Sequence, residues 1–133
     1  MTATATTTAI RHIVTMLDSI NLPVWVGVAP DTATYPLILV QVYGDAQDVN
    51  GTAGFRALTQ VDVQVRAVAE AADLAAVEQP AADIDAALHG TGPAEYTSGT
   101  VAACVRISET TMTEVQGGRT WTYLGGRYRL TVA

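Results

Sequence analysis

Apolar residues first recur at steps of three and four, then at steps of two, then at three and four again. Each change of period marks an element. Ile10, Ile13, Val14, Leu17 and Ile20 lie at helical spacing. Thr7 or Thr8 is placed to cap that helix, and Asn21 and Pro23 to end it. Residues 1–6 are small and polar, expected to fray or to order against a partner. Val24-Trp25-Val26-Gly27-Val28 reads as a short strand stopped by Ala29-Pro30-Asp31.

Residues 37–43 are apolar at nearly every position and then alternate, the pattern of a strand covered on both faces near its start. Residues 45–54 have no period, and Asn50-Gly51 is a turn signal. From Leu58 to Ala67 alternation is strict. Val61, Val63 and Val65 fall on one face; Gln60, Asp62, Gln64 and Arg66 fall on the other. That is an antiparallel-sheet pattern with one covered face.

Residues 70–88 read as a helix with a stripe of Leu74, Val77, Ala81, Ile84 and Leu88. Pro80 stands inside it, and an interior proline costs ~3 kcal/mol, so a kink or break is expected near Gln79. Gly90 is the expected stop, with Pro93 beyond it. Val101, Ala103, Val105 and Ile107 alternate as another strand, and Gln116-Gly117-Gly118-Arg119 reads as a hairpin turn. After the turn, large apolar residues occupy odd positions (Trp121, Tyr123) and then even ones (Tyr128, Leu130, Val132). A β-bulge at Gly125-Gly126 would account for the switch. The sum is one α+β domain over residues 1–133. A mostly antiparallel sheet of four to five strands carries an N-terminal helix and a long middle helix on one face.

Composition narrows the function. The hydrophobic fraction of 49% and charged fraction of 15% fit a folded chain. A net charge of −6, with seven arginines and no lysine, argues against binding nucleic acid through clustered phosphate contacts. Arg119, Arg127 and Arg129 form a local basic strip, expected to be strand-face or interface charges. The start of the chain lacks the basic-then-apolar pattern of a signal peptide, and no stretch approaches the ~20 apolar residues of a membrane span. A cytoplasmic origin and no membrane partner are expected. One cysteine excludes an internal disulfide and a cysteine-rich metal site.

No cluster points to chemistry. Asp48, Asn50 and Gly51 echo a calcium loop, but Ala46 and Ala57 stand where its first and twelfth ligands belong. Asp83 and Asp85 are two apart on a helix and face different directions. Cys104 with His12 or His89 is the one conceivable nucleophile and base, spread over three elements. His89, in the last helical turn, is placed to meet the helix's negative end. Trp121, Tyr123 and Tyr128 share one hairpin, where packing is expected over base stacking. No catalytic residue, cofactor or metal is expected.

Four segments in order carry a resemblance: Tyr35-Pro36-Leu37-Ile38-Leu39-Val40, Val61-Asp62-Val63-Gln64-Val65, Ala86-Ala87-Leu88-His89-Gly90 and Tyr128-Arg129-Leu130-Thr131-Val132. Together they resemble the tail terminator (tail completion) proteins of long-tailed siphophages. The resemblance covers residues 9–132; Pro80 and the connection over residues 91–100 depart from it. It implies a non-enzymatic virion protein of the tail-neck region, assembled in the host cytoplasm. Such a protein forms a homo-oligomer, a hexameric ring that ends tail-tube growth and meets the tail-tube and head-proximal connector proteins. DNA passes its lumen without specific binding. Gly44, Asp45, Asp48, Asn50 and Gly51, with Arg127 and Arg129, are the expected subunit or tube contacts, Asp45 and Asp48 repelling phosphate in the lumen. Another neck component (a head-closure or tail-tube protein) and a small ligand-binding domain are the alternatives.

Overall fold

The computed structural model describes residues 4–51, 54 and 56–133. The chain runs α1 (Ala5–Leu17), β1 (Val24–Val26), β2 (Leu37–Val42), β3 (Gln47–Asn50), β4 (Arg56–Ala69), α2 (Ala75–Leu88), β5 (Ala94–Tyr96), β6 (Gly99–Gln116) and β7 (Arg119–Val132). The class is α+β with both helices on one face, as expected. The sheet holds seven strands, not four or five, in the order β1-β2-β4-β7-β6-β5 with β3 beside β4. Pairing is antiparallel throughout except β1 with β2, which is parallel.

The two extra strands come from segments without a period. The expected loop over residues 45–54 contains β3, exposed at every position and paired to the first half of β4. Backbone hydrogen bonds along β4 supply what no apolar alternation signals. The connection over residues 91–100 contains β5, which pairs with Gly99, Thr100 and Val101.

Helix bounds also move. Thr4, not Thr7 or Thr8, caps α1: its side chain accepts the Thr7 N–H at 3.2 Å, and Ala5 and Thr6 are helical rather than frayed. Residues 1–3 lie outside the described residues. α1 ends at Leu17 and buries Ala9, Ile13 and Leu17, while Val14 is left exposed. The second helix begins at Ala75 rather than near Glu70. Glu70 is held by Arg119 at 2.7 and 2.8 Å, and the Asp73 carboxylate accepts the Ala75 N–H at 3.1 Å. Pro80 lies inside α2, and of the expected kink or break there is no break: the helix runs on through it. Val77, Ile84 and Leu88 anchor the turns on either side of it in the core, and that burial offsets the lost hydrogen bond.

The main core lies between the helices and the sheet. It is built from Ala9, Ile13 and Leu17 of α1, Val77, Ile84 and Leu88 of α2, Val61, Val63 and Val65 of β4, and Tyr128, Leu130 and Val132 of β7. Tyr128, buried beneath α2, donates its hydroxyl to Asp85 at 2.9 Å. A smaller cluster sits on the opposite face: Leu37 and Leu39 of β2 and Val68 of β4, with Trp121 and Tyr123 packed against them.

That second cluster removes the expected bulge. β7 pairs with β4 without a register shift through Gly125 and Gly126. The odd-position aromatics cover one face of the sheet, and the even-position apolar residues cover the other. The bulges lie in β6, between Val101 and Ala103 and between Arg106 and Ser108. Gly125 is required by close approach instead. A Cβ there would stand 2.6 Å from Arg66 Cα and 2.9 Å from the Val65 carbonyl carbon, backbone atoms of the neighbouring strand. The hairpin turn is as expected. Gly117 and Gly118 have φ of +60° and +77°, the two left-handed residues of a tight turn between paired Gln116 and Arg119.

Candidate interaction face

Helices cover one side of the sheet. The other side carries most of the chain's arginine and aromatic side chains. The polar positions of β4 meet the odd positions of β7: Asp62 is opposite Arg129, Gln64 opposite Arg127, Arg66 opposite Gly125 and Val68 opposite Tyr123. β2 continues the rows, with Gln41 opposite Gln64 and Leu39 opposite Arg66.

Three arginines on this side lie over aromatic rings. Arg66 is 4.7 Å from the Tyr123 centroid, Arg119 is 5.0 Å from Trp121, and Arg127 is 4.4 Å from Tyr43. The stacking fixes long side chains that would otherwise sweep solvent, and each pair adds ~0.5–1 kcal/mol where exposed. Arg129 grips Asp62 with two bonds of 2.9 and 3.1 Å, and Arg119 grips Glu70 with two of 2.7 and 2.8 Å. The hydrogen bonds that Arg129 donates to Asp62 raise its pKa, and those to Glu70 raise that of Arg119 in the same way. Arg66 is buried at 8% exposure and donates to the Gln41 side chain at 2.8 Å. Burial lowers its pKa, and the Tyr123 and Glu114 groups oppose that. Gln41 in turn donates to the Gly27 carbonyl at 3.0 Å, which ties the face to the end of β1.

Among the described residues, Arg127 has no carboxylate in salt-bridge range. Its Nε, the Arg66 Nε and the Trp121 Nε1 are buried N–H donors that find no acceptor among the described residues. Exposed apolar groups share this side of the sheet: Tyr43 at 48%, Met112 at 41%, Val105 at 39% and Trp25 at 37%. Arginine, tryptophan, tyrosine and methionine are residue types enriched in protein–protein contacts; Asp62, Glu70 and Glu114 lie among them here.

The expected contact residues divide between two places. Arg127 and Arg129 lie on this face, and Arg127 reaches Tyr43 beside Gly44, whose φ of +67° turns the chain out of β2. Asp48 is on β3 and accepts the Thr59 hydroxyl at 2.8 Å; Thr59 is buried on the helix side. Asp45 is exposed between the two strands, and Asn50 pairs with Arg56. Gly51 starts a turn, its carbonyl accepting the Gly54 N–H at 3.3 Å. Residues 52, 53 and 55 lie outside the described residues. Arg66 and Tyr43 are not among the expected contacts, and Trp121 is expected only in core or subunit-interface packing. Their signal was parity, since they share a face with Arg127 once β7 is drawn without a bulge.

The cysteine and one histidine do come near each other, inside the core. The Thr91 hydroxyl donates to the Leu88 carbonyl at 2.8 Å, so it accepts from His12 Nε2 at 2.9 Å. His12 Nδ1 is then the acceptor for the Tyr96 hydroxyl at 2.7 Å. Every polar atom of the neutral ring is satisfied, and burial lowers its pKa. Cys104 is fully buried beside Thr91, and its thiol is pushed up to about 11, chiefly by burial. A neutral thiol sealed from solvent is no nucleophile. His89 Nδ1 accepts the Arg106 backbone N–H at 3.0 Å, fastening β6 to the end of α2 rather than placing a cation there. Tyr128 lies on the helix side and Trp121 and Tyr123 on the other, so the three form no stacking platform. Among the described residues no cluster of His, Cys, Asp and Glu is arranged to hold a metal ion, and no helix is long and apolar enough to cross a membrane.

Neither a protein-family model nor a curated protein matches the sequence. A solved structure shares the fold. It is a chain of the assembly described as "Virion of native gene transfer agent (GTA) particle", with a TM-score of 0.58 and 17% identity. The match covers 90% of this chain and 84% of that one. At that identity the likeness speaks for the fold alone.

Proposed function

We propose that this chain is a structural virion protein of a tailed phage or phage-like particle, and specifically a tail terminator. It caps the tail tube as a ring, ends tube growth and joins the tail to the head-proximal connector. The observation that carries this reading is the end-to-end likeness to a chain of a gene transfer agent virion. The order of the four resembling segments supports it independently. So does the face described above, which offers packing and charge without a reactive group. In the ring, a hexamer, each copy presents one patch to a different patch on the next, a heterologous contact that closes by rotation. Gly44, Asp45 and Asp48 lie near one end of the sheet. Their placement suits a tube or lumen contact, with the carboxylates keeping DNA from sticking as it passes.

Deleting the gene from the phage or particle that encodes it tests the proposal. Tails of uncontrolled length, unattached to heads, are expected. Tails of normal length would overturn the terminator assignment, and filled heads that leak would move the chain to the head-closure class.

A further inference from the structure

The charge of this chain is distributed unevenly. Residues 67–105 contain six carboxylates and neither arginine nor lysine. Most of that stretch is α2 and its flanks. Asp73, Glu78 and Asp83 are exposed there, among the exposed small residues Ala75, Ala76, Ala82 and Ala86. None of these three carboxylates has an arginine within salt-bridge range among the described residues. The result is an acidic helical flank, bordered by Arg106, which pairs with Asp85 at 3.6 Å. The far side of the sheet carries four of the seven arginines and both tryptophans; Arg129 and Arg119 are paired there with Asp62 and Glu70, and Glu114 accepts from Tyr123, which leaves Arg127 and the buried Arg66 without a salt bridge among the described residues.

We propose that the occupant of the arginine–aromatic face is a second copy of this chain, seated through the acidic flank of its α2. The inference rests on the ring reading for its purpose but not for its chemistry. Complementary charge brings the patches together and sets their register. Arg127, held rigid on Tyr43, loses little rotamer freedom when it meets a carboxylate of Glu78 or Asp83. The alanines let the helix approach a flat sheet closely. Because the two patches differ and lie on opposite sides of the sheet, each copy can both give and receive. The contact therefore propagates from copy to copy. It also covers the exposed Tyr43 and Trp25.

Two variants test it, both altered at the surface and both checked for native circular dichroism: Arg127→Glu, and the double change Glu78→Arg with Asp83→Arg. Each is expected to weaken self-association of the concentrated protein by at least ~10-fold in sedimentation. Each keeps one native patch, and the two reversed patches complement one another, so mixing the variants should restore the association that each alone loses. Under oxidation, Gln64→Cys mixed with Ala82→Cys should form a disulfide-linked dimer faster than either alone; the native Cys104 is buried and stays out of the reaction. Self-association that survives both reversals, or linkage no faster in the mixture than in the separate proteins, overturns the inference. So does a concentrated wild-type chain that remains monomeric. The terminator reading is judged separately, by tail length in the deletion, so either can fail without the other.

Discussion

Replacing Gly125 by alanine tests the account of the sheet most directly. The added Cβ would meet Arg66 Cα at 2.6 Å and the Val65 carbonyl carbon at 2.9 Å, and would press on the Val65 oxygen as well. Ordinary contact begins at 3.4 Å, so the approach to Arg66 Cα is roughly 0.8 Å too close. All three atoms are backbone of β4, which is pinned by β2 and β3 on one side and β7 on the other. No side chain can turn away to make room. Overpacking a core by one methyl costs ~1–3 kcal/mol, and a site with no means of relief belongs at about 3. For a domain stable by ~5–15 kcal/mol that is a large share.

Urea unfolding followed by circular dichroism reads the effect. With a slope of ~2 kcal/mol per molar urea, the midpoint should fall by about 1.5 M. Gly118→Ala is the control. Its φ of +77° is strained for alanine, but no atom lies within 4 Å, so the cost should stay near ~1 kcal/mol. The difference between the two variants isolates the strand-to-strand approach. If Gly125→Ala is no worse than Gly118→Ala, the approach is not the reason for the glycine. A bulge with room at that position would then be the better description.

Tyr128→Phe removes a hydroxyl bonded to the Asp85 carboxylate at 2.9 Å. Asp85 keeps some access to water, so the loss belongs at the low end for a charged acceptor, ~1.5 kcal/mol, read as a lower urea midpoint. His12 is neutral and buried with its pKa lowered by desolvation from the ordinary 6.5. Below pH 6.5 the unfolded chain binds a proton there that the folded chain refuses. The contribution of His12 is therefore complete above 6.5 and declines as pH falls below it, and His12→Gln should flatten the slope of the midpoint below pH 6.5. Cys104, with its thiol pushed up to about 11, should resist iodoacetamide at pH 8 in the native protein and react fully in urea. Rapid native alkylation would mean that the core around Thr91 opens readily.

The strong periods were legible. Val61, Val63 and Val65 alternate because one face of β4 meets the helices, and the structure buries all three. Ile84 and Leu88 repeat at helical spacing and lie in the same core. What escaped the sequence is what packing does not write into it. β3 has four exposed residues and is a strand because β4 extends past β2 and offers free backbone partners. β5 is three residues long and follows from the same cause. Glu70 has good helix propensity, yet a two-bond grip by Arg119 from a strand 49 residues away keeps it outside α2. Local preference cannot report a partner so distant.

The parity of β7 carries the deepest lesson for function. A sheet with one covered face allows one parity of large apolar residues per strand, and under that rule Trp121 and Tyr123 conflict with Tyr128 and Leu130. A bulge resolves the conflict by putting the aromatics in the core, and in doing so turns Arg127 and Arg129 away from them. The structure resolves it differently, by giving the sheet a second apolar patch. Odd positions then hold Arg119, Trp121, Tyr123, Arg127 and Arg129 on one uninterrupted face. An enclosed second layer would have spared the arginines, and a solvated face would have spared the tryptophans. Both kinds together, stacked on one another and left uncovered by the chain's own helices, fit a surface that is finished by another molecule. The face proposed for that contact is built from residues that a one-core account of the sequence treats as misplaced.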